Sequence, residues 1–410
     1  MMHRILFVLL ALGFTSPGLL WSQMKAVPDQ IRLDQIPRVF SLSVSSSNPA
    51  QLMVATQFGL FLAKPEGIAD RLTGVDGVLM AFAVNPKNPK QLLVGGHPGQ
   101  NGSIGVLESK DGGKKWSQIS NNGAGNVGFH LLEFSKKNPK LVFGISKALR
   151  ISRDGGKSWA DVGPTPEGLI DFAASSADEN TVFAATQKGL LVSRNQGKSW
   201  KPSYARIMVA SMVYAVDGGK TYAFVPGVGL IAAEDNDLHW KPISDKFDDQ
   251  ILLRMTNDPK DKNRLYAATL TGAVVTSGDG GKNWRGYEGS HNASAKTIAM
   301  GEKLYIQNCQ VCHGEKGRGQ HTVPGFNAKA PPPFVAPALD DTAHAWHHSD
   351  SDLANTILNG SPQKESPMVA WKGKLSKSDA ESLVAYMKSL WSFRSVSCQG
   401  ARHMSCMKHR

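Results

Sequence analysis

Cysteine is scarce in this sequence, with four residues in 410. So few cysteines in so long a chain exclude a disulfide-stapled scaffold, and each pair must answer to its own chemistry. Long apolar runs are missing beyond the N-terminus. No later stretch reaches the roughly 18 uninterrupted apolar residues that a spanning helix needs. Acid is also in short supply: 34 Asp and Glu stand against 46 Lys and Arg, for a formal charge of +12. Such an excess suits an acidic partner protein or an anionic membrane surface. Nucleic acid is not the expected partner, because no basic helix or aromatic–basic ladder accompanies the charge. Wholesale disorder is excluded by 41% hydrophobic and 20% charged residues.

The chain opens MMHRILFVLLALGFTSPGLLWSQ. A short basic start, an apolar run from Ile5 to Phe14 and a break at Ser16, Pro17 and Gly18 read as a signal peptide over residues 1–22. An uncleaved anchor is the alternative. No clean A-x-A marks the cut, and Ser16, Gly18 and Ser22 are all candidate ends. The expected location is periplasmic or otherwise exported, in a bacterium, where disulfides are permitted.

A repeat follows. SKDGGKKW (Ser109–Trp116), SRDGGKSW (Ser152–Trp159), SRNQGKSW (Ser193–Trp200) and SGDGGKNW (Ser277–Trp284) recur, with a worn copy, AEDNDLHW, ending at Trp240. A period of about forty residues signals a repeat architecture. Each unit reads as four short strands with turn residues between. Six units fit, over residues 39–75, 79–119, 129–163, 168–203, 208–243 and 250–287, and seven remain an alternative count. Four-stranded blades at this period predict a β-propeller. The motif resembles the Asp-box, or BNR, repeat of sialidases, sorting receptors and exported assembly factors, over residues 36–289. Its aspartates, Asp111, Asp154 and Asp279, can accept turn amides, and its glycines permit positive φ. The boxes therefore read as hairpin fasteners. Sialidase activity is not expected: no Arg-Ile-Pro occurs, QIPR at Gln35–Arg38 is no substitute, and Arg71, Arg206, Arg254 and Arg264 are scattered.

Past Gly286 the pattern changes. GYEGSHNASA reads as a linker, and helical periodicity begins after it. The next helix runs into Cys309-Gln-Val-Cys312-His313. A C-x-x-C pair serves a dithiol site, half a zinc site or haem attachment. The dithiol reading wants a βαβ setting, and zinc wants two further ligands. C-x-x-C-H in an exported chain points to c-type haem, with thioethers from Cys309 and Cys312 and iron ligation by His313. Met368, in an S-P-M-x-x-W loop, is the candidate sixth ligand. Ser376 and Asp379 form a capping signature for the helix that follows.

Residues 294–393 resemble class I c-type cytochromes. The resemblance implies an all-α domain with one covalent haem c and His313 and Met368 as axial ligands. It further implies that Gly301 and Tyr305 meet the last helix near Tyr386, and that Pro324 or Pro331–Pro333 backs His313. Met387 reads as core and His321 as surface. His344, His347 and His348 read as a solvated loop, with metal binding as the alternative; His/His ligation of the haem through one of them is a further alternative. Ser349 and Asp352 are expected to cap a helix. The basic tail, residues 394–410, adds Cys398, His403, Met404, Cys406, Met407 and His409. Either Cys398 and Cys406 pair, or these soft donors hold copper. The fold is not expected to need this tail.

The expected function is electron transfer to or from a redox partner, acidic or membrane-associated, with the propeller as docking module. Two alternatives stand: a metal-handling or assembly factor whose propeller binds a client, and a haem dehydrogenase with substrate on the propeller.

Overall fold

In the computed structural model the described residues are 28–72, 74–75, 77–97, 103–120, 128–363 and 366–407. The expected signal segment, 1–22, and His409 lie outside them.

Six antiparallel sheets follow one another along the chain. Their innermost strands are Val39–Val44, Val78–Val84, Leu131–Phe134, Leu169–Ala174, Met212–Val216 and Leu252–Asp258. Each of these touches the next, and the sixth touches the first, so the sheets close into a six-bladed propeller. Seven blades are thereby ruled out. The second strands explain the ring's cohesion. Leu52–Thr56 (LMVAT) and Val182–Thr186 (VFAAT) are buried along their whole length, as strands covered on both faces must be. The first blade carries an extra outer strand, Gln30–Arg32, paired with Ile68–Arg71. Among the described residues no strand from the C-terminal part of the chain joins that blade. The ring closes instead through side chains and single hydrogen bonds. Arg254 Nε donates to the Phe40 carbonyl at 2.7 Å. Tyr287 Oη lies 2.7 Å from the Ala50 carbonyl and 2.9 Å from that of Ala63.

The repeated turns explain the motif atom by atom. Asp154 Oδ1 accepts from the amides of Lys157 and Ser158 at 3.1 and 2.9 Å. Ser152 Oγ accepts from Gly156 N at 2.8 Å, and Trp159 Nε1 donates to the Gly156 carbonyl at 2.9 Å. Asp111 and Asp279 make the same pairs of amide bonds. Burial opposes ionisation of Asp154, but the converging donors outweigh it and hold the carboxyl at about 2. Gly155 and Gly156 sit at φ +77° and +100°, which a side chain resists. In the fourth blade Gln196 takes the first glycine's place at φ +60°. Trp159 also packs on Phe129, ring centroids 4.5 Å apart, over Gly144, where a Cβ would come within 2.8 Å of the indole. The ring is half-buried. Trp159→Ala should cost about 3 kcal/mol, the low end for a large aromatic. Urea unfolding of the full chain measures this; a loss within error of zero would mean that the indole merely lies on the surface.

The helical domain holds α1 (Ala295–Asn308), α2 (Gln310–His313), α3 (Asp350–Asn359), α4 (Lys377–Ser389), α5 (Phe393–Ser397) and α6 (His403–Met407). Capping boxes start α3 and α4, at Ser349/Asp352 and Ser376/Asp379. Helix α1 crosses α4 at Gly301. A Cβ there would lie 1.9 Å from the Ser382 carbonyl oxygen, so only glycine allows the approach. Tyr305 and Tyr386 meet beside it, centroids 5.2 Å apart. Met387 is buried in this core, as its position on the apolar face predicts.

The stretch read as a linker is not one. Tyr287 is buried, Gly289 N donates to the Pro65 carbonyl at 2.6 Å, and Ser290 N and Oγ both reach Asp350 Oδ2 at 2.8 Å. The composition is linker-like; the one aromatic in it is an anchor. The tail, too, is packed into the fold. Cys398 and Cys406 belong to the helical core. Arg394 Nε binds Asp249 at 2.8 Å, and Phe393 packs edge-on against Phe247 at 5.2 Å. Arg402 pairs with Glu288 and donates from Nη2 to the Leu33 carbonyl at 2.7 Å. The basic charge of the tail is therefore partly neutralised by acids of the propeller and its exit.

Candidate functional site

The site begins where α1 ends. Ser294 caps that helix by accepting from Thr297 N at 3.1 Å. At its other end the backbone turns directly into α2, which carries Val311, Cys312 and His313. Gly314, at φ +75°, reverses the chain, and Tyr305 Oη donates to its carbonyl at 2.7 Å. That hydrogen bond ties the buried face of α1 to the turn that presents the histidine. Cys309 is half-buried against the core and Cys312 is exposed; neither is in a disulfide. Burial, with Cys312 alongside, pushes the Cys309 thiol up to about 11.

His313 Nδ1 lies 2.9 Å from the Pro337 carbonyl. A carbonyl can only accept, so Nδ1 carries the proton and Nε2 presents a lone pair. Burial holds this imidazole below its ordinary range, against the pull of Pro337. The residue backing His313 is thus Pro337, not Pro324 or Pro331–Pro333. The loop folds back further along than its proline run suggests: Gln320 N donates to the Ala336 carbonyl, Ala336 N donates to Gln320 Oε1, and Trp391 Nε1 fastens the Leu339 carbonyl at 2.8 Å.

Met368 stands on the loop between α3 and α4. Its amide donates to Ser366 Oγ at 3.3 Å, and its carbonyl accepts from Ser361 N at 3.4 Å. Trp371 N and Lys372 N then bind the last carbonyls of α3, at Ile357 and Leu358. Two thiols, one oriented imidazole and one thioether suit a haem c. So do the apolar side chains beside them: Val311 and Val369 are 74% and 60% exposed, next to Cys312 and Met368 respectively. Cys309 and Cys312 would hold the macrocycle, and His313 Nε2 and Met368 Sδ its iron.

The other sequence candidates fall elsewhere. A disulfide joins Cys398 and Cys406, Cα atoms 6.0 Å apart. Both sulfurs are thereby spent, so a thiolate copper site in the tail has lost its strongest donors. Met404 and Met407 are exposed. His403 stacks on His347, and His321 is exposed. Sequence reasoning read Arg254 as scattered and passed over the polar cluster it joins on and beside the innermost strands. Asp171 lies 3.4 Å from Arg254 and accepts from Val213 N at 3.1 Å, yet burial pushes its carboxyl up to about 6. Lys136 sits 5.1 Å over the Tyr214 ring, and Tyr214 Oη donates to Asn257 Oδ1 at 2.8 Å. The signal was available: a charged residue inside a buried innermost strand needs a polar partner.

Comparison with known proteins bears on the helical domain. Residues 296–387 match the family described as cytochrome c oxidase, cbb3-type, subunit III. A cbb3-type cytochrome c oxidase subunit FixP from Bradyrhizobium diazoefficiens is 30% identical over 92 residues, 22% of this chain and 27% of that protein. A cbb3-type subunit CcoP from Azospirillum brasilense is 29% identical over 99 residues, 24% of this chain and 30% of that protein. This chain therefore spans less than a third of the curated relatives it matches. Two solved structures are similar to it: the GH74 xyloglucanase from Xanthomonas campestris, with 17% identity, 63% of this chain, 46% of that one and TM-score 0.47, and YCF48 bound to D1 peptide, with 17%, 64%, 86% and 0.43. The chain is a six-bladed β-propeller followed by a cytochrome c domain related to those of the cbb3-type subunits. No helix among the described residues is long and apolar enough to cross a membrane.

Proposed function

We propose that this chain is an exported electron carrier, with one haem c bound through Cys309 and Cys312 and ligated by His313 and Met368. The carrying observation is the His313 imidazole, fixed by Pro337 one residue after an unpaired Cys312. The haem supplies reversible one-electron transfer at its iron. The residues of this chain do the rest. Pro337 sets the imidazole plane and tautomer. Tyr305, through the Gly314 carbonyl, sets the turn that carries His313. The Ser361 and Ser366 bonds position Met368. If His313 and Met368 both held the iron, no place would be left on it for substrate, which favours a carrier over a dehydrogenase. The N-terminal pattern supports export, and the Cys398–Cys406 disulfide agrees with an oxidising compartment.

The propeller, whose turns we read as Asp-box repeats, serves as the docking module. It is fastened to the cytochrome domain along a polar and aromatic seam, so the haem meets a partner in one fixed attitude. The excess of Lys and Arg favours an acidic one.

The test is spectroscopic. Purified protein should retain its haem through denaturation. Oxidised protein should show the weak sulfur-to-iron charge-transfer band in the near infrared. Met368→Ala should abolish that band and lower the reduction potential, because a thioether ligand raises it. A band that survives the substitution rejects Met368 as ligand, and haem lost on denaturation rejects covalent attachment.

A further inference from the structure

Four imidazoles gather on the face of the helical domain where the tail lies. His403, from α6, stacks on His347 with ring centroids 4.6 Å apart and planes 14° from parallel. His344 lies 6.0 Å from His347 and 5.7 Å from His348. His347 and His403 are half-buried, while His344 and His348 face solvent. The two sources are far apart in sequence, so local composition does not account for the meeting. His403 Nδ1 is 2.7 Å from the Gly400 carbonyl. Its proton is thereby assigned to Nδ1, and Nε2 is left with a lone pair. Imidazoles that ligate metals are commonly held by this outer hydrogen bond.

We propose that His344, His347 and His403 form a site for one borderline divalent cation, zinc above all, with His348 at its rim. A zinc–nitrogen bond is about 2.0–2.1 Å, so two imidazoles on one tetrahedral zinc have ring centroids roughly 5 Å apart. The observed separations bracket that value. Among the described residues no three His, Cys, Asp or Glu groups yet converge on one point. Capture therefore needs the stacked rings to swing apart about their side-chain torsions, within the staggered wells open to half-exposed residues. The flanking backbones are held in place. Trp346 is buried beside His347, the Ser349 capping box follows directly, and the Cys398–Cys406 disulfide brackets His403. The proposed donors are all imidazole nitrogens, which select zinc, nickel or copper over calcium and magnesium. The bound ion would join the tail to the loop before α3.

The experiment uses tag-free, full-length, haem-loaded protein with its disulfide intact. Calorimetric titration with zinc chloride near neutral pH should show one equivalent binding saturably. His347→Gln with His403→Gln should weaken it at least about tenfold, by analogy with the loss of a single supporting contact. His321→Gln, on another loop, should leave it unchanged. The parent's melting temperature should rise with zinc and the double variant's should not. No saturable binding below millimolar zinc overturns the proposal. So does binding that survives the double variant, or binding that is lost instead on changing His97, whose ring lies 5.8 Å from that of His130.

Discussion

Gly301→Ala should destabilise the helical domain by about 3 kcal/mol, the upper range for overpacking a core, and cut haem incorporation several-fold. The reason lies in what the new methyl would meet. Its nearest neighbours are the carbonyl oxygen and carbon of Ser382, at 1.9 and 2.6 Å, and only then the Tyr386 side chain. A side chain can turn away, but the backbone of α4 cannot. Helices α1 and α4 must separate, and the end of α1 carries Cys309 and, one turn on, His313. The propeller's blades lie outside this crossing and should keep their own fold. Circular dichroism in the far ultraviolet, followed through thermal unfolding, checks the first effect. Haem per chain, measured by absorbance after denaturation in alkaline pyridine, checks the second. A variant with the parent's haem content and melting curve would show that the helices do not cross as closely as the structure has them.

Arg402→Ala should uncouple the two domains. The guanidinium is almost fully buried; it pairs with Glu288 and donates to the Leu33 carbonyl. Its removal leaves a carboxylate without its cation, while the Leu33 carbonyl keeps only the Ile36 amide at 3.1 Å. Breaking a buried pair from one side costs about 3–5 kcal/mol; water reaches Glu288 in part, so about 3 is expected here. A cooperative calorimetric transition in the parent should split into two in the variant. Adding Glu288→Gln to Arg402→Ala should recover part of the loss, because the stranded charge is gone. A single unshifted transition in Arg402→Ala would place the coupling elsewhere on the seam.

The ring and the haem motif were legible because both are written in local chemistry. A turn that needs an acceptor, two glycines and an indole leaves the same letters every forty residues. Two thiols and an imidazole that must share one helical turn cannot be spread along the chain. Pro337 was not legible in this way. Any proline carbonyl in a proline-rich loop could have served, and the choice depends on how the loop folds back through Gln320 and Trp391. The seam was hidden for a different reason. Glu288, Asp350, Phe393 and Arg402 form it from four separate stretches, and each looks ordinary alone. The tail was misread because its charge was counted before its partners, Asp249 and Glu288, were known. Asp171 and Arg254 carry no motif; only their place on innermost strands distinguishes them.

The first and last blades share no strand among the described residues, and the helical domain lies across that joint. Arg402 holds Leu33 on one side and Glu288 on the other; Tyr287 holds Ala50 and Ala63. A closed ring without a shared strand comes apart where the two ends meet. Contacts between such distant parts of the chain form late in folding, so strengthening them slows opening more than it speeds closure. Resistance to proteases is then a matter of how long the joint stays shut. A chain that never received its haem should have a looser helical domain across that joint. Such a chain should have the shorter half-life, although every blade of its propeller is intact.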